Sequence, residues 1–235
     1  MKREKRFKHQ NQIYSKYKEL NQNKYYIFKV YDLIRKLNKT YKFKNFLDVG
    51  CADGSFSKKL KDDFDFDAHG IDISGGAIKL ALKKGIKATV HNLEHKLHFE
   101  DNFFDLIFCL EVIEHIYDTD FLIRELKRVL KNKGILIIST PNLASLLNRV
   151  KIILGKYPSF VPEFNIQAGH IRAYTVPILS KQLEKHSLEI LIKTSPNITF
   201  PMTNPKIPRK FKKIATKLGD FFPTLGSHMI IVARK

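Results

Sequence analysis

The chain has 235 residues, of which 43% are hydrophobic, so it is long enough and apolar enough to bury a full core. No apolar run approaches the roughly 18 residues that a membrane span needs, and residues 1–10 lack the apolar segment of a signal peptide. We therefore expect a soluble, cytoplasmic protein whose two cysteines, Cys51 and Cys109, are reduced.

The net charge of +19 is the strongest compositional feature. A positive field attracts RNA, DNA, anionic lipid or anionic substrates. Much of the excess lies in residues 2–44, where tyrosines are interleaved with the basic side chains, and in residues 206–217, which contain no acid. An A/T-rich genome would produce the same bias without a function, so the charge alone selects no partner.

The first two thirds of the chain alternate between strand and helix patterns. Apolar residues at helical spacing predict one or two helices over residues 11–39. The patterns that follow predict strands at 45–49, 67–72, 86–90, 104–110 and 134–140 and helices at 54–62, 74–83 and 118–131. This alternation implies right-handed βαβ units and a parallel sheet.

The last third predicts a helix at 176–186, a strand at 188–194 and a final strand at 228–234. The connection before the final strand is too short and too rich in proline for an ordinary crossover, so this strand should enter antiparallel. We expect a basic helical cap over residues 1–44, followed by one domain over 45–235. Two insertions are predicted in that domain, at about 143–172 and 195–226.

Residues 46–56 combine a buried strand, a glycine loop and a helix start. Gly50 and Gly54 allow the backbone to approach a ligand closely and to direct helix N–H groups at it. Asp48 and Asp53 would repel a pyrophosphate, but they suit a ligand that carries an ammonium and a sulfonium charge. S-adenosylmethionine carries both charges.

Asp72 supports the same interpretation. It ends the second predicted strand, about 20 residues past the glycine loop. An open α/β fold places at this point an acid that accepts hydrogen bonds from ribose hydroxyls.

A second group of chemically active residues follows the fourth predicted strand. Glu111, Glu114 and His115 have the spacing i, i+3 and i+4, so one helical turn would bring all three to one side. His170 is a candidate fourth member from the first insertion. Two carboxylates and imidazoles can relay protons or bind a metal ion, although a helix start whose acids complement the helix dipole would look the same.

These motifs together resemble the class I S-adenosylmethionine-dependent methyltransferases, whose first motif, D-x-G-C-x-x-G, corresponds to residues 48–54. Ala52 replaces the usual central glycine, and Asn92 replaces the acid that usually holds the adenine. The resemblance implies an α/β, Rossmann-like, seven-stranded sheet, mostly parallel with a reversed last strand and with helices on both faces. The implied cofactor-binding residues are Asp48, Gly50, Cys51, Asp53, Gly54, Asp72, Ile73, Asn92, Leu93 and Leu110.

The segments E-V-I-E-H-I, S-T-P-N and G-H-I-R-x-Y-T resemble two subgroups of that family. One contains small-molecule, lipid and glycan O-methyltransferases, including ubiquinone-biosynthesis enzymes. The other contains small-RNA 2′-O-methyltransferases, in which a divalent metal such as Mg²⁺ or Mn²⁺ binds at the target hydroxyls. If the motif positions correspond, the metal ligands in this chain would be Glu111, Glu114, His115 and His170.

We expect a methyltransferase that acts on a small-molecule, lipid or glycan hydroxyl, with His115, His170 and Glu114 as the catalytic residues. A neutral alcohol needs a general base or a metal ion, and no Asn/Asp-Pro-Pro-Tyr motif for an exocyclic amine is present. The alternative is a metal-assisted RNA 2′-O-methyltransferase. A nicotinamide-dependent oxidoreductase would share the strand, loop and helix but should lack Asp48, and a binding module without catalysis would not need an intact loop.

Overall fold

The computed structural model describes residues 24–159, 169–198 and 217–235. The expected helix before residue 24, the middle of the first insertion and most of the second insertion lie outside these ranges. The basic stretch 206–216 is among the residues that are not described.

Helices and strands alternate along the described chain. The helices are α1 (Lys24–Tyr41), α2 (Ser55–Phe64), α3 (Gly75–Lys83), α4 (Thr119–Val129), α5 (Leu146–Ile153) and α6 (Val176–Lys185), and residues 217–221 are also helical. The strands are β1 (Asn45–Val49), β2 (Asp67–Asp72), β3 (Lys87–Val90), β4 (Phe104–Leu110), β5 (Leu130–Pro141), β6 (Glu189–Thr194) and β7 (His228–Arg234). Two short 3₁₀ turns occupy Ile113–His115 and Pro223–Leu225. None of the helices in the described ranges is long and apolar enough to cross a membrane.

The seven strands form one mixed sheet in the order β3-β2-β1-β4-β5-β7-β6. Strand β1 pairs in parallel with β2 and β4, and β2 pairs in parallel with β3. Strand β7 runs antiparallel to both β5 and β6. The expected Rossmann-like sheet with a reversed last strand is therefore confirmed.

The helix predicted over residues 118–131 ends two residues early, and β5 begins at Leu130 rather than at residue 134. The carbonyl oxygens of Arg128 and Val129 accept hydrogen bonds from the backbone N–H groups of Asn102 and Phe103. Because those carbonyls bond to another part of the chain, they do not continue the helix. The pattern of apolar residues could not reveal this competition.

Contacts within the chain define two compact units. The first comprises residues up to Cys109 together with Glu125–Gly134. Its core contains a cluster of aromatic rings, in which Phe46 lies 5.0 Å from Phe108 and 6.0 Å from Phe66, measured between ring centroids. Helix α1 contacts α2 in this unit, where the hydroxyl of Tyr31 donates to Asp63 at 2.8 Å.

The second unit comprises Leu110–Arg124 and the chain from Ile135 onward. The paired strands at its centre are fully buried over Ile135–Ile138 and over Ile230–Ala233. Leu179 and Leu183 of α6 are also fully buried, as expected for residues one helical turn apart on an apolar face.

Candidate functional site

The glycine loop of the first unit has an unusual backbone. Gly50, Ala52 and Gly54 all have positive φ angles, of 78°, 46° and 71°. The backbone N–H groups of Gly50 and Cys51 both donate to the carbonyl of Ile71, at 2.8 and 3.0 Å. The loop is therefore folded against the end of β2, in a conformation that glycine adopts without steric cost.

Glycine is also required in this region for space. A Cβ added at Gly54 would lie 2.9 Å from the Cβ of Ala81, and one added at Gly70 would lie 2.7 Å from the Sγ of Cys51. Real Cβ atoms do not approach this closely. Cys51, which was predicted as a cofactor-binding residue, packs its sulfur on β2, and among the described residues neither Cys51 nor Cys109 is part of a disulfide bond.

The carboxylate of Asp72 is buried at the end of β2. Its Oδ2 accepts from the N–H of Ala52 at 3.0 Å, and its Oδ1 accepts from the N–H of Ser74 at 2.8 Å. Burial raises the pKa of Asp72, and the backbone donors oppose that shift. The backbone of Ile73 also contributes to this opposing effect, and since an ionised carboxylate has about four acceptor positions, capacity remains for a ribose hydroxyl.

Asp48 lies beneath the loop and is buried as well. Burial raises its pKa to about 7, against the opposing effect of a hydrogen bond from the hydroxyl of Ser57. The negative charge of Asp72 contributes to the same upward shift. Asp48 therefore carries only part of its charge near neutral pH, which weakens the charge argument made from the sequence.

Asp53 is bound to neighbouring side chains. Its Oδ2 accepts from the Nζ of Lys84 at 2.6 Å and from the hydroxyl of Ser55 at 2.7 Å. Burial is the largest single influence on the pKa of Asp53, and it raises that pKa. The hydrogen bonds from Lys84 and Ser55 and the charge of Lys84 together outweigh burial, so the net shift is downward. The charge of Asp53 is paired, and its contact with a cofactor stays a prediction.

The other predicted cofactor residues follow the ends of strands. Ile73 follows β2, and Asn92 and Leu93 follow β3; all three are half-buried. The Oδ1 of Asn92 accepts from the N–H of Glu94 at 3.1 Å, as a polar turn residue does. Leu110 ends β4 and is half-buried.

The residues of the first unit fit S-adenosylmethionine. The buried carboxylate of Asp72 has acceptor capacity to spare for the ribose, and the loop at Gly50 and Gly54 allows a close backbone approach. The half-buried Ile73 and Leu93 are apolar, as a surface for adenine should be. When bound, S-adenosylmethionine supplies a methyl group activated by its sulfonium.

Glu111 does not lie on a helical turn with Glu114 and His115, so the expected i, i+3, i+4 arrangement is wrong. Glu111 has a φ of 57°, and the 3₁₀ turn begins only at Ile113. The N–H of Glu111 donates to the carbonyl and to the hydroxyl of Ser139, at 3.1 and 3.2 Å. These bonds hold Glu111 in a left-handed conformation that interrupts a helix.

The structure nevertheless brings together three of the four predicted metal ligands, within the second unit. Ligand atoms of Glu114, His115 and His170 all lie within 4.8 Å of one another. The Nε2 of His170 is 3.9 Å from the Oε1 of Glu114. The Nδ1 of His115 is 3.1 Å from the carbonyl oxygen of Gly169, which has a φ of 67°.

Glu114 is 1% exposed, and burial raises its pKa. Among the described residues, no hydrogen bond of good geometry reaches either of its carboxylate oxygens or the hydroxyl of Thr140, although that hydroxyl is close enough to oppose the upward shift in the pKa of Glu114. A buried carboxylate without such partners is costly, and one explanation is that it receives a proton, a donor or a cation during function.

His228 is a candidate functional residue that the sequence analysis missed. Its Nε2 lies 3.4 Å from the Oε2 of Glu111, whose Oε1 accepts from the hydroxyl of Ser139 at 2.9 Å. Burial, together with the charge of His170, lowers the pKa of His228 to about 4. Burial also raises the pKa of Glu111, as does the charge of Glu114.

His228 begins the last strand, opposite Pro141 in β5. The sequence predicted an antiparallel last strand but not its register, so the proximity of His228 to Glu111 could not be predicted. We name Glu111, Glu114, His115, His170 and His228 the carboxylate–histidine cluster. A neutral imidazole can accept a proton, and carboxylates with imidazoles also suit Mn²⁺ or Zn²⁺.

Comparison with known proteins agrees with this description. Residues 47–138 match a family model described as a methyltransferase domain. An uncharacterized protein of Methanocaldococcus jannaschii is 32% identical over 205 residues, which cover 87% of this chain and 84% of that protein. A methyltransferase from Archaeoglobus fulgidus has the same fold, with a TM-score of 0.61 at 18% identity over 89% of this chain and 94% of that one. Residues 47–138 are therefore a methyltransferase domain, and the chain is an S-adenosylmethionine-dependent methyltransferase.

Relatives with named activities match only part of the chain. A ubiquinone biosynthesis O-methyltransferase of Pelagibacter ubique is 32% identical over 46% of this chain and 47% of that enzyme. Phosphoethanolamine N-methyltransferase 2 of Caenorhabditis elegans is 30% identical over 40% of this chain and 23% of that enzyme. The match thus spans less than half of each named enzyme, and it includes both O- and N-methyltransferases.

Proposed function

We propose that the protein transfers a methyl group to a hydroxyl of a small molecule, a lipid or a glycan. The carboxylate–histidine cluster is the observation that carries this proposal, because a neutral alcohol reacts only when its proton is removed or its pKa is lowered. An amine acceptor would usually need no such group. The relatives include O-methyltransferases, but they include N-methyltransferases as well, so the choice of a hydroxyl depends on the cluster.

In this proposal His115 is the general base. In the tautomer whose Nδ1–H donates to the carbonyl of Gly169, at 3.1 Å, the Nε2 of the ring carries the lone pair that can accept a hydroxyl proton. A carboxylate next to the ring stabilises the imidazolium that forms, and Glu114 is the neighbouring acid. The ring of His170 packs edge-on against that of His115, with 4.8 Å between the ring centroids, and its Nε2 lies 3.9 Å from the Oε1 of Glu114.

A second candidate function is metal-assisted methylation of an RNA 2′-hydroxyl. The specific observation in its favour is the spacing of Glu114, His115 and His170, whose ligand atoms are within 4.8 Å of one another. A divalent metal held there by the two carboxylate oxygens of Glu114 and by imidazole nitrogens would lower the pKa of a bound hydroxyl. Glu111 interacts electrostatically with Glu114, whose charge raises the pKa of Glu111, and would act on the ligand set through that interaction.

Calorimetric titration with S-adenosylhomocysteine tests the cofactor site first. The chelator-treated protein is titrated in parallel with and without Mn²⁺ or Mg²⁺. Micromolar binding of S-adenosylhomocysteine is expected in both series. The absence of binding would contradict the assignment of the cofactor site.

The same experiment separates the two candidate functions. The general-base proposal expects no metal binding at the cluster, and it expects methylation of hydroxyl acceptors to survive chelation but to be lost in His115→Ala. A metal signal that disappears in Glu114→Gln and in His170→Ala would instead favour the RNA alternative. Glu184→Gln, at an exposed position on α6, is the matched control and should change neither signal.

A further inference from the structure

Four large apolar side chains are exposed together at the end of α5. Ile152, Ile153, Leu154 and Tyr157 are 56%, 82%, 62% and 51% exposed, and we name these four residues the apolar tip. A single exposed apolar residue needs no explanation, but a contiguous group of them marks an interaction surface. The apolar tip belongs to the second unit of the chain.

Hydrogen bonds hold the backbone of the apolar tip in one conformation. The N–H of Gly155 donates to the carbonyl of Ile152 at 3.0 Å, and that of Lys156 donates to the carbonyl of Lys151 at 2.7 Å. With a φ of 66° at Gly155, these two bonds form a Schellman motif that ends the helix. The backbone conformation of this turn therefore keeps the side chains of the apolar tip exposed.

Asn148 closes the loop that carries the apolar tip. Its Oδ1 accepts from the N–H of Ser159 at 2.8 Å, and its Nδ2 donates to the carbonyl of Ser159 at 3.2 Å. The Nζ of Lys151 donates to the hydroxyl of Ser159 at 2.6 Å. A Cβ added at Gly155 would meet nothing within 4 Å, so the turn between these contacts projects from its surroundings.

The charges beside the apolar tip have a single sign. Residues 146–159 contain Arg149, Lys151 and Lys156 and no acid. Aliphatic side chains with a cationic rim are the pattern of segments that bind at the interface of an anionic bilayer. The net charge of +19 adds attraction over a longer range.

Two other occupants fit this surface less well. A second copy of the chain would bring another large positive charge to a surface that is already basic, and the two would repel. RNA would find the lysines but few rings on which to stack its bases, because three of the four members of the apolar tip are aliphatic. Acyl chains, in contrast, accept aliphatic side chains directly.

We propose that the apolar tip inserts into the interface of an anionic phospholipid bilayer, with Lys151 and Lys156 at the level of the head groups. This binding is separate from the proposed transfer to a hydroxyl, and it places the enzyme where lipid acceptors occur. The contact is reversible, because a patch of four side chains is small compared with a stable anchor.

Co-sedimentation of the full chain with vesicles tests the proposal. Vesicles of phosphatidylcholine alone are compared with vesicles that contain phosphatidylglycerol, each at low and high salt. Binding is expected only to the anionic vesicles, and it should weaken as salt rises. Ile153→Asp should lower the partition coefficient about tenfold or more, because it removes the most exposed apolar side chain and adds a negative charge.

Ile178→Asp is the matched control, since Ile178 is an isoleucine of α6 with 57% exposure. It should bind vesicles like the unaltered protein. Lys156→Glu should lower binding several-fold at low salt and have a smaller effect at high salt. Titration with S-adenosylhomocysteine should be unchanged in all three variants, so a failure of this proposal is distinguishable from a failure of the cofactor assignment.

Several outcomes would overturn the proposal. Equal loss of vesicle binding in Ile153→Asp and Ile178→Asp would mean that the apolar tip has no specific role in membrane binding. Equal binding to neutral and anionic vesicles would contradict the charge argument. If Ile153→Asp abolished a dimer seen in sedimentation velocity while vesicle binding persisted, the surface would be assigned to a second copy. If it abolished an RNA gel shift instead, the surface would be assigned to RNA.

Discussion

The Oδ2 of Asp72 accepts a hydrogen bond from the backbone N–H of Ala52 at 3.0 Å, across 20 residues of sequence. This bond joins the end of β2 to the middle of the glycine loop. It gives Asp72 two roles, because the acid that is expected to bind the ribose also holds the loop. Variants at these two positions can separate the roles.

Asp72→Ala should weaken the binding of S-adenosylhomocysteine by roughly 1 to 3 kcal/mol, the usual scale for a lost hydrogen bond to a charged group. It should also destabilise the fold, since the N–H groups of Ala52 and Ser74 lose their acceptor. Asp72→Asn keeps one carbonyl oxygen and should be milder in both respects. Calorimetry and urea denaturation measure the two effects, and an unchanged affinity would remove Asp72 from the cofactor site.

Ala52→Gly should stabilise the protein by about 0.5 to 1 kcal/mol. Ala52 has a φ of 46°, where an L-residue with a Cβ is strained and glycine is not. Ala77→Gly is the control, because Ala77 lies in α3, where glycine is expected to cost a similar amount. Urea denaturation should give opposite signs for the two variants, and a loss of stability in Ala52→Gly would contradict the argument.

Gly70→Ala should destabilise the first unit by roughly 1 to 3 kcal/mol, the cost of overpacking a buried position. The new Cβ would lie 2.7 Å from the Sγ of Cys51. Removal of that sulfur in Cys51→Ala should recover part of the loss, so the double variant should be more stable than the sum of the single variants predicts. Strict additivity in denaturation experiments would show that the contact does not control this position.

Asp48 should make the protein less stable as the pH rises from about 4 to about 7. The unfolded chain releases the proton of Asp48 near its ordinary pKa of 3.8, whereas the folded protein holds it until about pH 7. Asp48 therefore contributes most to the free energy of unfolding below pH 4, and this contribution is completely lost above pH 7. At roughly 1.4 kcal/mol for each pKa unit, the loss is on the order of 4 kcal/mol as an upper bound.

Asp48→Asn tests this linkage, since the amide keeps an oxygen for the hydroxyl of Ser57 but cannot ionise. The free energy of unfolding of Asp48→Asn, minus that of the unaltered protein, should be larger at pH 8 than at pH 5 when both are measured in urea. A difference that is the same at both pH values would contradict the raised pKa.

Local patterns were enough for most of the fold. Four strands, β1, β2, β4 and β7, begin and end where the sequence predicts, because short apolar runs bounded by turn residues identify buried strands directly. The antiparallel direction of β7 was expected from the resemblance to the family and not from loop length, because the 33 residues between β6 and β7 exceed the dozen or so that a parallel crossover needs. Where two segments compete for the same carbonyls, as at Arg128, the local pattern was misleading.

The sequence by itself determined the sheet, the glycine loop and the place of Asp72 at the end of β2, because these depend on residues that are close in the chain or regular in their spacing. Only the tertiary structure decided which side chains surround Glu114. His170 reaches it from a segment 56 positions later, and His228 joins the cluster through the register of β7 on β5. Strand register and loop paths depend on the packing of distant segments, and no local periodicity encodes them.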